Sequence, residues 1–215
     1  MAGLDHLEPF IHQRRRIHGN TPPHLPGRVV QGLLRRHLES VGGYVLSALN
    51  RRAVEGVECH RADISDLEAI RPAFEGRDVV VHLAAQLSRA SWEELLAGNI
   101  VGTYNVFEAA RLAGVKRVVF ASSGAAIAGI ERVPPYEALS AGRYSEVPDD
   151  LPKVTHEMTH PRWLYGATKV WGEALAHHYA DEYGLSVLCV RIGGVLADDR
   201  PKEKRDVPIY LSHRD

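Results

Sequence analysis

An α/β fold built on a parallel sheet with helices on both faces is predicted by three features of the chain. Apolar runs of strand length alternate with longer runs at helical spacing. The turns between them are short. One run, Asp78-Val79-Val80-Val81-His82-Leu83-Ala84-Ala85, is almost continuously apolar, as a strand covered on both faces must be. Strands joined through helices pair in parallel by right-handed crossovers.

Taken in order, the pattern becomes regular at Gly27. Val29, Val30, Leu33, Leu34 and Leu38 recur at helical spacing, and Gly42-Gly43 supplies a C-cap and turn. Tyr44 to Leu49 reads as a buried strand ended by Asn50-Arg51-Arg52. Val57 to His60 is a short strand before Asp63-Ile64-Ser65-Asp66, where Ser65 and Glu68 have capping-box spacing for a helix reaching about Phe74. After the Asp78 strand, one long helix is predicted from Trp92 to Ala113, stopped by Gly114. Arg117 to Ala121 is the next strand and runs into Ser122-Ser123-Gly124. Pro134, Pro135, Pro148, Pro152 and Pro161 predict a long loop over 130–161. The helix carrying Tyr165 then extends to Tyr183, and Leu185 to Ile192 is the last strand. Residues 1–26 show neither periodicity, and Pro22, Pro23 and Pro26 cannot donate ladder hydrogen bonds. No strand is predicted before Gly27, which leaves the sheet without an ordinary first strand.

Composition narrows the class. The 215 residues are 45% hydrophobic and 25% charged with a net charge of −1, so bulk charge recruits neither nucleic acid nor an acidic membrane surface. No apolar run approaches the ~18 residues needed to span a bilayer, and no signal-peptide core is present. Cys59 and Cys189 lie in strand-like runs with no metal-ligand spacing to the twelve histidines, which predicts reduced core thiols, no metal and a cytoplasmic location.

Tyr165-Gly166-Ala167-Thr168-Lys169 places a phenol and an ammonium four residues apart on one helix face. A free phenol titrates near pH ~10, so a tyrosine that exchanges protons near neutrality needs a cation close by. Lys169 stands where that cation would be. The bland alternative is a solvated helix face.

Several stretches together resemble the short-chain dehydrogenase/reductase superfamily, in particular its extended branch, the NAD-dependent epimerases and dehydratases. They are Asp63-Ile64, His82-Leu83-Ala84-Ala85, Asn99-Ile100-Val101-Gly102-Thr103-Tyr104-Asn105-Val106, Ser122-Ser123, Tyr165 to Lys169, and Arg191-Ile192-Gly193-Gly194. They stand in the family's order over about residues 27–200. The resemblance implies a Rossmann-like doubly wound sheet and NAD or NADP as cofactor. It assigns acid/base work to Tyr165, support of its phenolate and of the nicotinamide ribose to Lys169, and polarisation of the reacting oxygen to Ser123. Asp63 and Ile64 would meet the adenine, with a helix cap as the bland alternative for Asp63. Leu83, Ala84, Ala85, Asn99, Ser122, Ile192 and Gly193 would line or anchor the cofactor, and Gly27 would be the second glycine of the phosphate loop. The family also commonly pairs as a homodimer, here through the helices at 92–113 and 165–183.

Four departures qualify the match. His24 and Val30 replace the first and third glycines of the loop. Counting back from Gly129 puts Gly124, not a hydroxyl residue, at the catalytic serine position, leaving Ser123 as the substitute. Asn50 with Arg51-Arg52 replaces an acidic residue at the ribose, which leans toward NADP. Only Leu196 to Asp215 follow the last strand, against the roughly 50 residues of a small substrate domain. The chain is therefore divided into a divergent segment 1–26, a nucleotide-binding domain 27–200 and a substrate-region remnant 201–215. The predicted activity is NAD(P)-dependent hydride transfer on a sugar nucleotide or related sugar, with uronate-dehydrogenase-like members resembled at Arg191-Ile192-Gly193 and Leu211 to Asp215. The alternative is a non-catalytic relative serving as a nucleotide-binding or interaction module.

Overall fold

The computed structural model describes residues 15–20, 26–87, 89–201 and 210–214, with side chains from Val29 onward. Six strands form one parallel sheet: β1 (Arg15–Asn20), β2 (Tyr44–Asn50), β3 (Glu58–Arg61), β4 (Val79–His82), β5 (Arg117–Ser123) and β6 (Ser186–Ile192). Their order is β3-β2-β1-β4-β5-β6. The chain winds outward from β1 to β3, returns to place β4 beside β1, and continues to β6. Winding thus reverses between β1 and β4, and the carboxyl ends of the strands there form the crevice where such sheets bind ligands.

The expectation that no strand precedes Gly27 is overturned. β1 is central, with Ile17 paired to Leu46 on one side and Val79 on the other, and Gly19 paired to Ala48 and Val81. Its six residues are free of proline; Pro22 and Pro23 come after it, and Pro26 opens helix α1 (Pro26–Val41), where a missing N–H costs no intrahelical bond. The division at 26/27 therefore cuts off the sheet's central strand. Gly27 stands in the first turn of α1, and His24 lies outside the described residues.

Local signals placed most other elements. The short α2 (Leu67–Ile70) is capped by Asp66, whose carboxylate accepts from the Ala69 N–H at 3.0 Å. Ser65, the predicted cap, instead donates its hydroxyl to Asp63 at 2.9 Å. Ser91 and Glu94 form a reciprocal capping box at the start of α3 (Trp92–Leu95). The predicted single helix over 92–113 is interrupted by a π-helical stretch, Leu96–Val101, before α4 (Gly102–Leu112), and Gly114 ends it with φ +67°. The proline-rich stretch contains the short α5 (Tyr136–Ser140), and α6 (Trp163–Tyr183) ends at left-handed Gly184.

Phe74, Val80, Phe107, Phe120 and Tyr179 are fully buried and form the core. Beyond β6, β7 (Gly194–Val195) pairs in parallel with β8 (Tyr210–Leu211), after the last strand predicted from sequence. No helix among the described residues is long and apolar enough to cross a membrane.

Candidate active site

A cavity of about 300 Å³ opens at the carboxyl ends of β2, β3 and β4. Asn50 and Arg51 come from the end of β2, Asp63 and Ile64 from the turn after β3, and Ala84 and Ala85 from the turn after β4. All six were predicted from sequence. Asp63 accepts from the Ser65 backbone N–H at 3.0 Å and faces the Arg51 guanidinium at 3.7 Å. Asn50 spends its carbonyl oxygen on the Arg51 N–H at 2.9 Å, which leaves the amide nitrogen as its donor toward a ligand. The cavity thus has an aliphatic wall at Ile64 and Ala84 and a mixed-charge polar rim.

Tyr165, Ser123 and Lys169 converge beside β5. Ser123 ends the strand, accepts from the Ala125 N–H at 3.1 Å, and its hydroxyl acts on the Tyr165 phenol in favour of the ionised form. Gly124, where the count from Gly129 put the missing hydroxyl, opens a short 3-10 turn (Gly124–Ala126) that a second one (Ala128–Arg132) follows. Gly166 lets α6 sit directly against the Ala125 carbonyl, and a Cβ there would overlap that backbone.

The electrostatics differ from the simple expectation. Burial holds the Tyr165 phenol above its ordinary value, and the Ser123 hydrogen bond only partly opposes this. Lys169 is 3% exposed and donates to the Ala121 carbonyl at 2.8 Å, with its nitrogen 5.7 Å from the centre of the Tyr165 ring. Burial brings the Lys169 ammonium down to about 8, with Glu173 opposing. Lys169 is thus a buried cation close to neutrality, aimed at the backbone of β5. The lowering of Tyr165 expected from it is not found in this arrangement.

Asn99 occupies the π-helical stretch, a feature often found at functional sites. Its carbonyl oxygen accepts from the Gln86 N–H at 2.7 Å; its amide nitrogen donates to the Gln86 carbonyl and to Thr168 Oγ1, both at 2.9 Å. The whole amide is committed, so Asn99 ties the turn after β4 to the Tyr165 helix instead of lining the cavity. Thr168 and Gln86 are the partners that sequence reasoning missed. Missed too were Ala97 and Gly98, which line the cavity, and Glu93 and Glu94 at its rim. The small pair immediately before Asn99 was the available signal.

Two predicted cofactor residues point elsewhere, because strand side chains alternate between faces. Ser122 donates to Glu173 Oε1 at 2.5 Å, on the α6 side with Phe120. Leu83 lines a small apolar cavity with Leu34, Leu38 and Leu46 beneath α1. Glu173 is bound in turn by Arg191 through paired contacts of 2.8 and 2.7 Å, and Arg191 also donates to the Met158 carbonyl at 2.9 Å. Burial alone would raise the Glu173 carboxyl; Arg191 and Ser122 hold it below its ordinary value. This cluster fastens the proline-rich segment to α6. Ile192 pairs with Ser123 in the β5–β6 register, so it and the following Gly193 flank the site at the same sheet edge. Both cysteines are free thiols, and no group of three or more metal-ligating side chains is gathered among the described residues.

The family model for the NAD dependent epimerase/dehydratase family matches residues 28–212. The chain belongs to this family. Among its relatives, an L-arabinose 1-dehydrogenase (NAD(P)(+)) of Haloferax volcanii is 40% identical over 163 residues, 75% of this chain and 62% of that protein. A uronate dehydrogenase of Agrobacterium fabrum is 35% identical over 158 residues, 74% of this chain and 52% of that one. The chain therefore spans less than two thirds of the length of these family members. The crystal structure of uronate dehydrogenase from Agrobacterium tumefaciens superposes with a TM-score of 0.70 at 28% identity, covering 93% of this chain and 68% of that one. Winding, sheet and helix placement are those the family resemblance implied.

Proposed function

We propose that the chain carries the nucleotide-binding and proton-transfer half of an NAD(P)-dependent sugar dehydrogenase. The observation that carries this reading is the convergence of Ser123, Tyr165 and buried Lys169 at the same sheet edge as the mixed-charge cavity. The residues fit a dinucleotide. Ile64, Ala84 and Ala97 offer an adenine ring an apolar wall, Asp63 an acceptor, and Asn50 and Arg51 donors at the ribose.

A bound nicotinamide supplies the hydride acceptor. Ser123 orients the reacting oxygen of the sugar, and Tyr165 exchanges its proton. Below about pH 8 Lys169 keeps a positive charge 5.7 Å from the centre of the Tyr165 ring, and the Ser123 hydroxyl is the group that favours the phenolate when a sugar hydroxyl is to be deprotonated. The names of the relatives support a free sugar or sugar acid as substrate over a sugar nucleotide. An epimerase or dehydratase uses the same proton and hydride steps on a related sugar.

Arg51 favours NADP. Its guanidinium is only loosely paired with Asp63 and stands at the ribose end of the cavity. Fluorescence titration should therefore show NADPH binding at least as tightly as NADH. Arg51→Ala should weaken NADPH by about tenfold or more with little change for NADH. Equal losses for both would remove Arg51 from this role. Binding of neither at millimolar concentration would overturn the enzyme reading and leave a non-catalytic interaction module.

A homodimer through α3, α4 and α6 follows from the same family reading. Trp92, Tyr104, Leu112, Trp171 and Tyr183 are all exposed on these helices and would supply the apolar part of such an interface. Sedimentation velocity should give a dimer, and a monomer at micromolar concentration would contradict this.

A further inference from the structure

We propose that Phe120 is a positioning residue for the site, its ring face seating the Lys169 ammonium beneath Tyr165 and its place secured by the missing side chain of Gly172. This rests on the assignment of Tyr165 and Lys169 to proton transfer, but its geometry stands independently. The Lys169 nitrogen lies 4.9 Å from the centre of the Phe120 ring, within cation–π range. An ammonium carries three donors; one goes to Ala121, and no carboxylate among the described residues stands within ion-pair distance. A cation 3% exposed needs compensation on its other sides. The ring supplies it from the residue next to Ala121 on β5.

Gly172 explains why the ring can lie there. It follows Lys169 by one helical turn, and a Cβ on it would come within 2.6 Å of Phe120 Cε1 and nearer still to Cζ. Phe107 closes the ring's surroundings edge-on with centroids 6.1 Å apart, and His82 packs at 5.6 Å. The charged and titratable groups around Lys169 are His82 from β4, Tyr165 and Glu173 from α6, and Arg191 from β6 acting through Glu173. His82 adds no competing charge: burial, and then Lys169 itself, bring its imidazole down to about 3. Glu173 is held by Arg191 and Ser122, so it acts on Lys169 only from a distance. Phe120 is thus, beside the Ala121 carbonyl, the side chain in direct contact that favours the charged form.

Replacing Phe120 with phenylalanine difluorinated at both ortho carbons weakens the ring's negative face with little change in volume and leaves the edge toward Gly172 untouched. NMR titration of isotope-labelled lysine in the intact protein should then show the Lys169 midpoint falling by roughly half a unit. Gly172→Ala, which displaces the ring, should move it in the same direction. An unmoved midpoint in the fluorinated protein, with its thermal unfolding unchanged, would overturn the proposal. The titration needs neither cofactor nor turnover, so it is decided separately from the enzyme reading, which the NADH and NADPH titrations test.

Discussion

Replacing Tyr165 by Phe should lower turnover by about 10²–10⁴-fold while leaving cofactor affinity nearly unchanged. The substitution removes one oxygen and keeps the ring that packs near Lys169. Ser123 keeps its bond from the Ala125 N–H and so stays in place. Proton exchange is lost and the scaffold is kept. The pH profile provides a second check. Burial holds the phenol above its ordinary value, so the neutral acid is the resting form and sugar oxidation requires a phenolate. Activity in that direction should rise with pH through neutrality and beyond about pH 8, as the phenolate fraction grows. The sign follows from a phenol raised by burial: the reactive phenolate is scarce below its pKa and gains as pH rises toward it. Undiminished turnover in Tyr165→Phe would remove Tyr165 from the reaction.

How far the site could be read from sequence depended on whether its signals were local. The Tyr165 helix and its extent to Tyr183 were legible because a helical period acts within a few residues. Strand β4 was legible because a strand buried on both faces must be apolar throughout. Strand β1 was not. Arg15-Arg16-Ile17-His18-Gly19-Asn20 shows no alternation, and its place comes from pairing with β2 and β4, whose partner residues lie far along the chain.

Within the site the same division holds. Ser122 faces α6 with Phe120 and is bound to Glu173, whereas Ser123 ends β5 and is placed by the turn it caps through the Ala125 N–H, a tertiary detail with no sequence signature. Asn99 was legible as a site residue of the long-helix stretch through the family resemblance, but its attachment to Gln86 and Thr168 was not. The π-helical turn that carries it has no periodic signature in sequence. The direction of Lys169, toward the Ala121 carbonyl and the Phe120 ring, depends on a cation too deep to reach water.

Gly166→Ala should cost about 1–3 kcal/mol of stability and reduce turnover more than that loss alone explains. Gly166 is a helical residue, so alanine would stabilise an isolated helix there by about 1 kcal/mol. Overpacking decides the sign. The new Cβ would overlap the Ala125 carbonyl oxygen and come within 3.1 Å of its carbon, and these are backbone atoms that cannot rotate away. Pro161 crowds the same space from 3.4 Å, and the Arg162 N–H already donates to that carbonyl at 2.9 Å. Relief therefore requires α6 to move away from the turn after β5. That motion parts Tyr165 on the helix from Ser123, whose own position is set by the Ala125 N–H. The cavity near Asp63 and Ala84 is built from other strands, so NADPH affinity should fall less than turnover does. Thermal unfolding and steady-state kinetics on the same preparation separate the effects. Wild-type turnover at a lowered melting temperature would show that the contact supports only the fold, and an unchanged melting temperature would show that the helix does not press on Ala125.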